Sequence, residues 1–163
     1  MFYYMIEERR IKMIIMKYIQ NITILLLVFI FLSCGLDPEP INYGKDLCAH
    51  CNMKIMDKRY GAEFVNSKGK VFKFDSGECL IEYINQNNLS DMNNGLTLVT
   101  DFNNPGNLIK TSDAVFIISQ KLPSPMGAFL TAFSSKGDAQ KKVDESGGDV
   151  YNWSSVTVKI LNK

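Results

Sequence analysis

The sequence predicts an α+β fold in which two similar ββαβ units pack as one compact domain, after an N-terminal signal peptide. Two segments, about 47–104 and 105–163, each show two strands, a helix and a further strand in the same order. The motifs Phe74-Asp75-Ser76 and Phe133-Ser134-Ser135 hold equivalent places before the two predicted helices. Each unit alone would bury little apolar surface, so we expect the two to share one core.

The N-terminal third is dominated by an apolar run from Ile22 to Leu32 that only Thr23 interrupts. A helix of this length, at about 1.5 Å per residue, is too short to cross about 30 Å of hydrocarbon. Lys17 supplies the positive flank of a signal peptide. We therefore predict that residues 1–33 are a signal peptide and that Met16 is the true start.

The end of this run resembles a bacterial lipobox. In Phe31-Leu32-Ser33-Cys34-Gly35 the cysteine is expected to carry lipid and to become the mature N-terminus. The alternative is a plain secretory signal with an incidental cysteine. Residues 34–46, with two prolines, are predicted as a tether that holds the domain on the periplasmic side of a bacterial membrane.

The first unit begins with a predicted hairpin. Strands at 61–65 and 71–74 flank the turn formers Asn66-Ser67-Lys68-Gly69. Ser76 is placed to cap a helix with an apolar face, and a strand at 96–100 completes the unit.

The second unit is predicted in the same way. A strand at 114–118 is followed by the turn Pro123-Ser124-Pro125 and a strand at 126–133. Ser134-Ser135 opens a helix that Gly147-Gly148 ends. The last strand is predicted at Ser155–Ile160, where apolar and polar residues alternate.

Composition excludes several classes of function. The chain is 46% hydrophobic and 21% charged, with a formal net charge of +1, and it has no basic run to bind nucleic acid. A single histidine leaves little scope for acid–base catalysis, and no phosphate-binding loop or nucleophile–histidine–acid set stands out. The sequence therefore predicts a protein that is not an enzyme.

The run Cys48-Ala49-His50-Cys51-Asn52-Met53 is the strongest functional signal. It places two thiols, an imidazole and a thioether within one short segment. Such ligands select Cu(I) or Zn(II) over hard ions, and the thioether favours Cu(I) because structural zinc sites rarely use methionine. We therefore predict a Cu(I) site.

Simpler interpretations exist for each of these residues. Cys48 and Cys51 could form a disulfide in an oxidising compartment, Met53 could be core filler, and His50 could be an exposed loop residue. A four-ligand zinc site lacks a second Cys/His pair downstream, where only Cys79 remains. Because Cys79 lies on the apolar face of its helix, we predict it as a buried small hydrophobe.

Several short motifs, in this order and spacing, resemble the NosL family of periplasmic copper-binding lipoproteins. In the first unit they are Cys51-Asn52-Met53-Lys54-Ile55, Arg59-Tyr60-Gly61-Ala62 and Phe74-Asp75-Ser76-Gly77-Glu78-Cys79-Leu80. In the second unit they are Asp113-Ala114-Val115-Phe116, Pro125-Met126-Gly127, Thr131-Ala132-Phe133, Asp138-Ala139 and Gly147-Gly148-Asp149-Val150.

The resemblance implies a Cu(I) metallochaperone that delivers copper to nitrous oxide reductase during its maturation, beside an ABC-type maturation complex. Cys51 and Met53 match the family's Cys-Gly-Met motif, with Asn52 in place of the glycine, and Met126 matches its Pro-Met-Gly motif. Cys51 and Met126 are expected to be the strongest ligands. Met53 or His50 is expected to complete a three-coordinate site, and Cys48 is a further candidate.

Two other functions fit the residues. An exported thiol–disulfide protein would use Cys48 and Cys51, perform redox chemistry on a partner, and have no use for Met126. A structural lipoprotein would use the same cysteine pair as a staple.

Overall fold

A computed structural model describes residue 13 and residues 15–22, 36–87 and 95–163. The chain divides into two units, Met1–Gly35 and Leu36–Lys163. In the first unit, residues 15–22 are helical, while Cys34 and most of the apolar run before it lie outside the described residues. None of the helices in the described ranges combines the length and the apolar character needed to cross a bilayer.

The second unit begins with a four-stranded antiparallel sheet and one helix. Its strands are β1 (Ala62–Val65), β2 (Val71–Phe74), β3 (Leu96–Thr100) and β4 (Leu108–Lys110), in the spatial order β2-β1-β3-β4. Helix α1 (Gly77–Gln86) follows β2, and the Ser76 side chain accepts a hydrogen bond from the Cys79 N–H. The predicted hairpin, helix cap and third strand are confirmed.

A second, three-stranded antiparallel sheet follows. It contains β5 (Val115–Ile118), β6 (Leu130–Phe133) and β7 (Asp149–Tyr151), in the order β6-β5-β7. Helix α2 (Lys136–Ser146) connects β6 to β7, and helix α3 (Trp153–Leu161) ends the chain. The predicted order of two strands, a helix and a strand is present, with a helix added after it.

The predicted last strand at Ser155–Ile160 is wrong, because this segment forms α3. Asn152 and Ser155 form a reciprocal capping box at the start of the helix. Val156 and Ile160, four residues apart, are the buried positions of the helix. The alternating Val-Thr-Val sequence resembles a strand, but the cap and this helical spacing decide the outcome. The strand that completes the unit is instead β7.

Three boundaries also differ from the predictions. Strand β6 begins at Leu130, because residues 124–129 form a loop. Strand β4 lies beyond the predicted unit boundary at 104 and extends the first sheet. The predicted tether, 34–46, is already folded from Glu39 onward, since Ile41 and Tyr43 pack on the core and Glu63 Oε1 accepts the Glu39 N–H at 3.0 Å.

One buried cluster joins the two sheets. Its members come from both halves of residues 36–163 and include Phe64, Phe74, Leu80, Phe116 and Leu130. Continuous burial across the sheets confirms the α+β fold with a shared core. The segment before β1 and the first turn of α1 meet at one side of this core, and the candidate site lies there.

Candidate metal centre

Cys48 and Cys51 lie on a closed loop, residues 47–54, which we call the cysteine loop. Its ends pair in a β-bridge between Leu47 and Lys54, and the Cys48 N–H donates to the Met53 carbonyl at 2.8 Å. Within the loop, the Asn52 N–H donates to the Cys48 carbonyl at 3.0 Å. Asn52 has φ 60°, a left-handed conformation that asparagine tolerates better than most residues and that glycine adopts freely.

Three sulfurs converge at this loop. Those of Cys48, Cys51 and Cys79 all lie within 4.8 Å of one another. All three cysteines carry free thiols; Cys48 and Cys79 are fully buried and Cys51 is half-buried. Since a metal–thiolate bond is about 2.3 Å long, sulfurs at this separation can reach one ion with only small movements. The geometry fits one soft metal ion held by sulfur.

The surroundings of the Cys48 sulfur favour its thiolate form. It accepts a hydrogen bond from the Cys79 thiol, and backbone N–H groups of Cys51, Asp75 and His50 also point to it. These donors stabilise negative charge on sulfur and lower the pKa of Cys48 to about 4, although burial opposes the shift. Of the three thiols, Cys48 is therefore the one that loses its proton most readily.

The other two thiols are held in the protonated form. Donating to Cys48 raises the pKa of Cys79, and burial raises it further. Burial is the largest cause of the raised pKa of Cys51, and a hydrogen bond from the Met53 N–H partly offsets it. One thiolate and two thiols thus share the site, which limits repulsion among the sulfurs before an ion is present.

Cys79 is the site residue that the sequence prediction missed. It is fully buried, as predicted, but its sulfur belongs to the cysteine cluster. The Ser76 cap fixes the first turn of α1 and thereby places Cys79 at the cysteine loop. No local pattern marks this role, because the contact joins segments far apart in sequence. The one sequence feature that could have indicated this role is that Cys79 remains as a third cysteine after Cys48 and Cys51.

His50 and Met53 lie at the edge of this cluster. The His50 Nε2 lies 2.9 Å from Glu82 Oε2 on α1, so this ring is already engaged by a carboxylate. The Met53 side chain is 49% exposed. The predicted convergence of Cys51 and Met53 on one face requires an extended segment, and the left-handed Asn52 between them interrupts that geometry.

Met126 lies on a second loop, residues 124–129, which we call the methionine loop. The Gly127 N–H donates to the Ser124 carbonyl at 3.0 Å, and Phe129 has φ 61°. Met126 is half-buried, and like Cys51 it packs against the shared core. It also lines a cavity of about 380 Å³ together with Glu82, the partner of His50.

Comparisons with known proteins agree with this architecture. Residues 41–161 match the model of the NosL family. The crystal structure of the copper chaperone NosL from Shewanella denitrificans has a similar fold, with a TM-score of 0.61 and 21% sequence identity. The similarity covers 72% of this chain and 93% of that protein. No curated protein matches the sequence.

Proposed function

Because the chain belongs to the NosL family, we propose that it is a Cu(I)-binding metallochaperone. The observation that supports this most directly is the convergence of the Cys48, Cys51 and Cys79 sulfurs within 4.8 Å. The Shewanella protein of similar fold is itself a copper chaperone. Copper is cargo in this proposal: the protein binds it, shields it and passes it on, and it catalyses no reaction.

The donor atoms favour Cu(I) over zinc. In the described part of the chain, the cluster holds three cysteines and no histidine or carboxylate. Structural zinc is almost always bound by four ligands, whereas soft thiolate and thioether ligands select Cu(I). We propose the three cysteines as the main ligands and Met126 as a further ligand from the methionine loop. His50 and Met53 are then groups at the rim that an ion meets on entry or exit.

The finer parts of the proposal follow from the family resemblance. We propose that the protein delivers copper to nitrous oxide reductase during maturation, beside an ABC-type maturation complex. A lipid on Cys34 would hold it on the periplasmic side of a bacterial membrane. Mass spectrometry of the mature protein tests the lipid directly. A Cys34→Ala variant that keeps its full membrane fraction would exclude this anchor.

A second function is supported by one specific observation. Cys48 has a pKa of about 4, and a stable thiolate next to a second thiol is typical of thiol–disulfide exchange proteins. An exported redox protein would use Cys48 and Cys51 in this way. It would have no use for Met126, so this residue separates the two functions.

The deciding experiment is an anaerobic titration of the full-length protein with Cu(I) against a competing chelator. We expect tight binding of one ion, weakened by both Cys51→Ser and Met126→Leu, while Met56→Leu, at a methionine that is 65% exposed, serves as a matched control. Weak binding, or binding indifferent to Met126, would favour the thiol–disulfide function. The redox potential of Cys48 and Cys51 would then be the next quantity to measure.

Delivery is tested by incubating the copper-loaded protein with copper-free nitrous oxide reductase and its maturation complex. We expect copper to appear in the enzyme faster than from a copper–chelator complex of equal affinity. Equal rates from both sources would contradict a specific delivery role.

A further inference from the structure

Glu78 is a buried carboxylate that neither the metal cluster nor the core requires. It lies in the first turn of α1, directly before Cys79, and is 1% exposed. Burying a carboxylate is costly, and a well-packed apolar residue at such a position usually stabilises a protein at least as well. Its second oxygen, Oε2, has no hydrogen-bond partner among the described residues. The position therefore calls for a role other than stability.

The contacts of Glu78 tie α1 to both ends of the methionine loop. Its Oε1 accepts a hydrogen bond from the Ser124 hydroxyl, where the loop begins. The same oxygen accepts the Leu130 N–H at 3.3 Å, directly after the loop ends. The positive end of the α1 dipole favours the carboxylate at this point.

Ser124 carries this connection into the loop. Its oxygen also accepts the N–H of Phe129 at 2.8 Å, so one side chain closes the loop and joins it to Glu78. Phe129 has φ 61°, which is unusual for an aromatic residue and requires support from its surroundings. The conformation of the loop that carries Met126 therefore depends on Ser124 and, through it, on Glu78.

We propose that Glu78 and Ser124 are positioning residues. They hold the Met126 thioether where it can bind the same ion as the cysteine cluster. Cys79 and Glu78 are neighbours in one helical turn, so the turn that supplies a sulfur also holds the loop that supplies the thioether. This inference rests on the proposed function, since it takes Met126 as a copper ligand. Neither residue touches the ion; both act through the loop.

A double-mutant cycle tests the coupling. Cu(I) affinity is measured by chelator competition on the full-length protein for the wild type, Ser124→Ala, Met126→Leu and the double variant. We expect Ser124→Ala to weaken binding about tenfold in the wild type and to have no further effect once Met126 is leucine. Glu78→Leu, which removes both acceptor oxygens, should weaken binding to a similar extent, whereas Glu78→Gln, which keeps an acceptor oxygen, should bind within about twofold of the wild type.

Controls separate positioning from general stability. Thr100→Val removes another buried hydrogen bond, to the Gly61 carbonyl at 2.7 Å, and should leave the affinity unchanged. Thermal unfolding of each variant identifies any that fail to fold, and Glu78→Leu replaces Ser124→Ala in the cycle if Ser124→Ala does not fold. Equal losses from Ser124→Ala in both backgrounds, or loss of affinity in Thr100→Val, would overturn the inference.

If Met126 is not a copper ligand, the measurements give a different result. If wild type and Met126→Leu bind equally, Met126 is no ligand, and the positioning role is overturned together with that part of the proposed function. If Met126→Leu weakens binding while Ser124→Ala and Glu78→Leu do not, only the positioning role is overturned.

Discussion

The cysteine loop and the methionine loop both contain a left-handed backbone residue, but they differ in how they present a sulfur atom. Each contains one left-handed residue that is not glycine, Asn52 and Phe129. In the cysteine loop, backbone N–H groups surround a fully buried Cys48 sulfur and favour its thiolate form. In the methionine loop, a half-buried Met126 borders a cavity. Under the proposed function, the cysteine loop would hold the ion and the methionine loop would let it exchange.

The largest effect is expected on the cysteine side. Cys48→Ser removes the thiolate around which the other donors are arranged, and serine cannot supply an equivalent soft ligand. We expect Cu(I) affinity to fall by more than about 100-fold, beyond the range typical for loss of an outer-shell group. Chelator competition measures the loss. Retention of wild-type affinity would show that the cluster of Cys48, Cys51 and Cys79 is not the binding site.

The pH dependence of binding distinguishes a two-cysteine from a three-cysteine site. Cys48, with a pKa of about 4, has already lost its proton at neutral pH, whereas the raised pKa values of Cys51 and Cys79 mean that their protons must leave when they bind metal. We expect affinity to increase with pH, by about 100-fold per unit when two protons are released. Competition titrations between about pH 6 and about pH 8 give this slope.

A slope of about tenfold per unit would mean that only one thiol loses its proton, so that Cys79 stays a hydrogen-bond donor to Cys48 and not a ligand. A steeper slope, corresponding to three protons, would contradict the thiolate assigned to Cys48.

A smaller effect is expected on the methionine side, and it should be kinetic. Met126→Leu keeps the shape of the side chain but removes its weak sulfur ligand. We expect the rate of Cu(I) release to an excess of chelator to rise about tenfold. Met53→Leu should change the same rate less. Stopped-flow absorbance follows the release. Equal behaviour of the two variants would remove the distinction between the loops.

The smallest effect is expected where the backbone is left-handed. Asn52→Gly fits φ 60° without a side-chain clash, so the free energy of unfolding should change by less than about 1 kcal/mol. Asn52→Val introduces a β-branched residue at the same φ and should destabilise the fold by about 1–2 kcal/mol. Denaturant unfolding measures both. A large loss from Asn52→Gly would show that the asparagine side chain itself holds the loop.

Local patterns were sufficient for much of the architecture. The β1–β2 hairpin, the Ser76 cap, the β5 strand and the helix ended by Gly147 all depend on residues that are close in sequence. The C-terminal segment shows the limit of this reasoning. Its alternation favours a strand, but the Asn152 cap and burial of Val156 and Ile160 against the core make it a helix.

The order of residues alone indicates a site of soft ligands, since Cys48, His50, Cys51 and Met53 lie within six positions. Which of these side chains meet was decided by the tertiary structure. Folding brings Cys79 to the cluster, engages His50 with Glu82 and leaves Met53 half exposed. Side-chain type and spacing can be read directly from the sequence. Convergence across 28 positions, from Cys51 to Cys79, arises only when α1 packs on the core beside the cysteine loop.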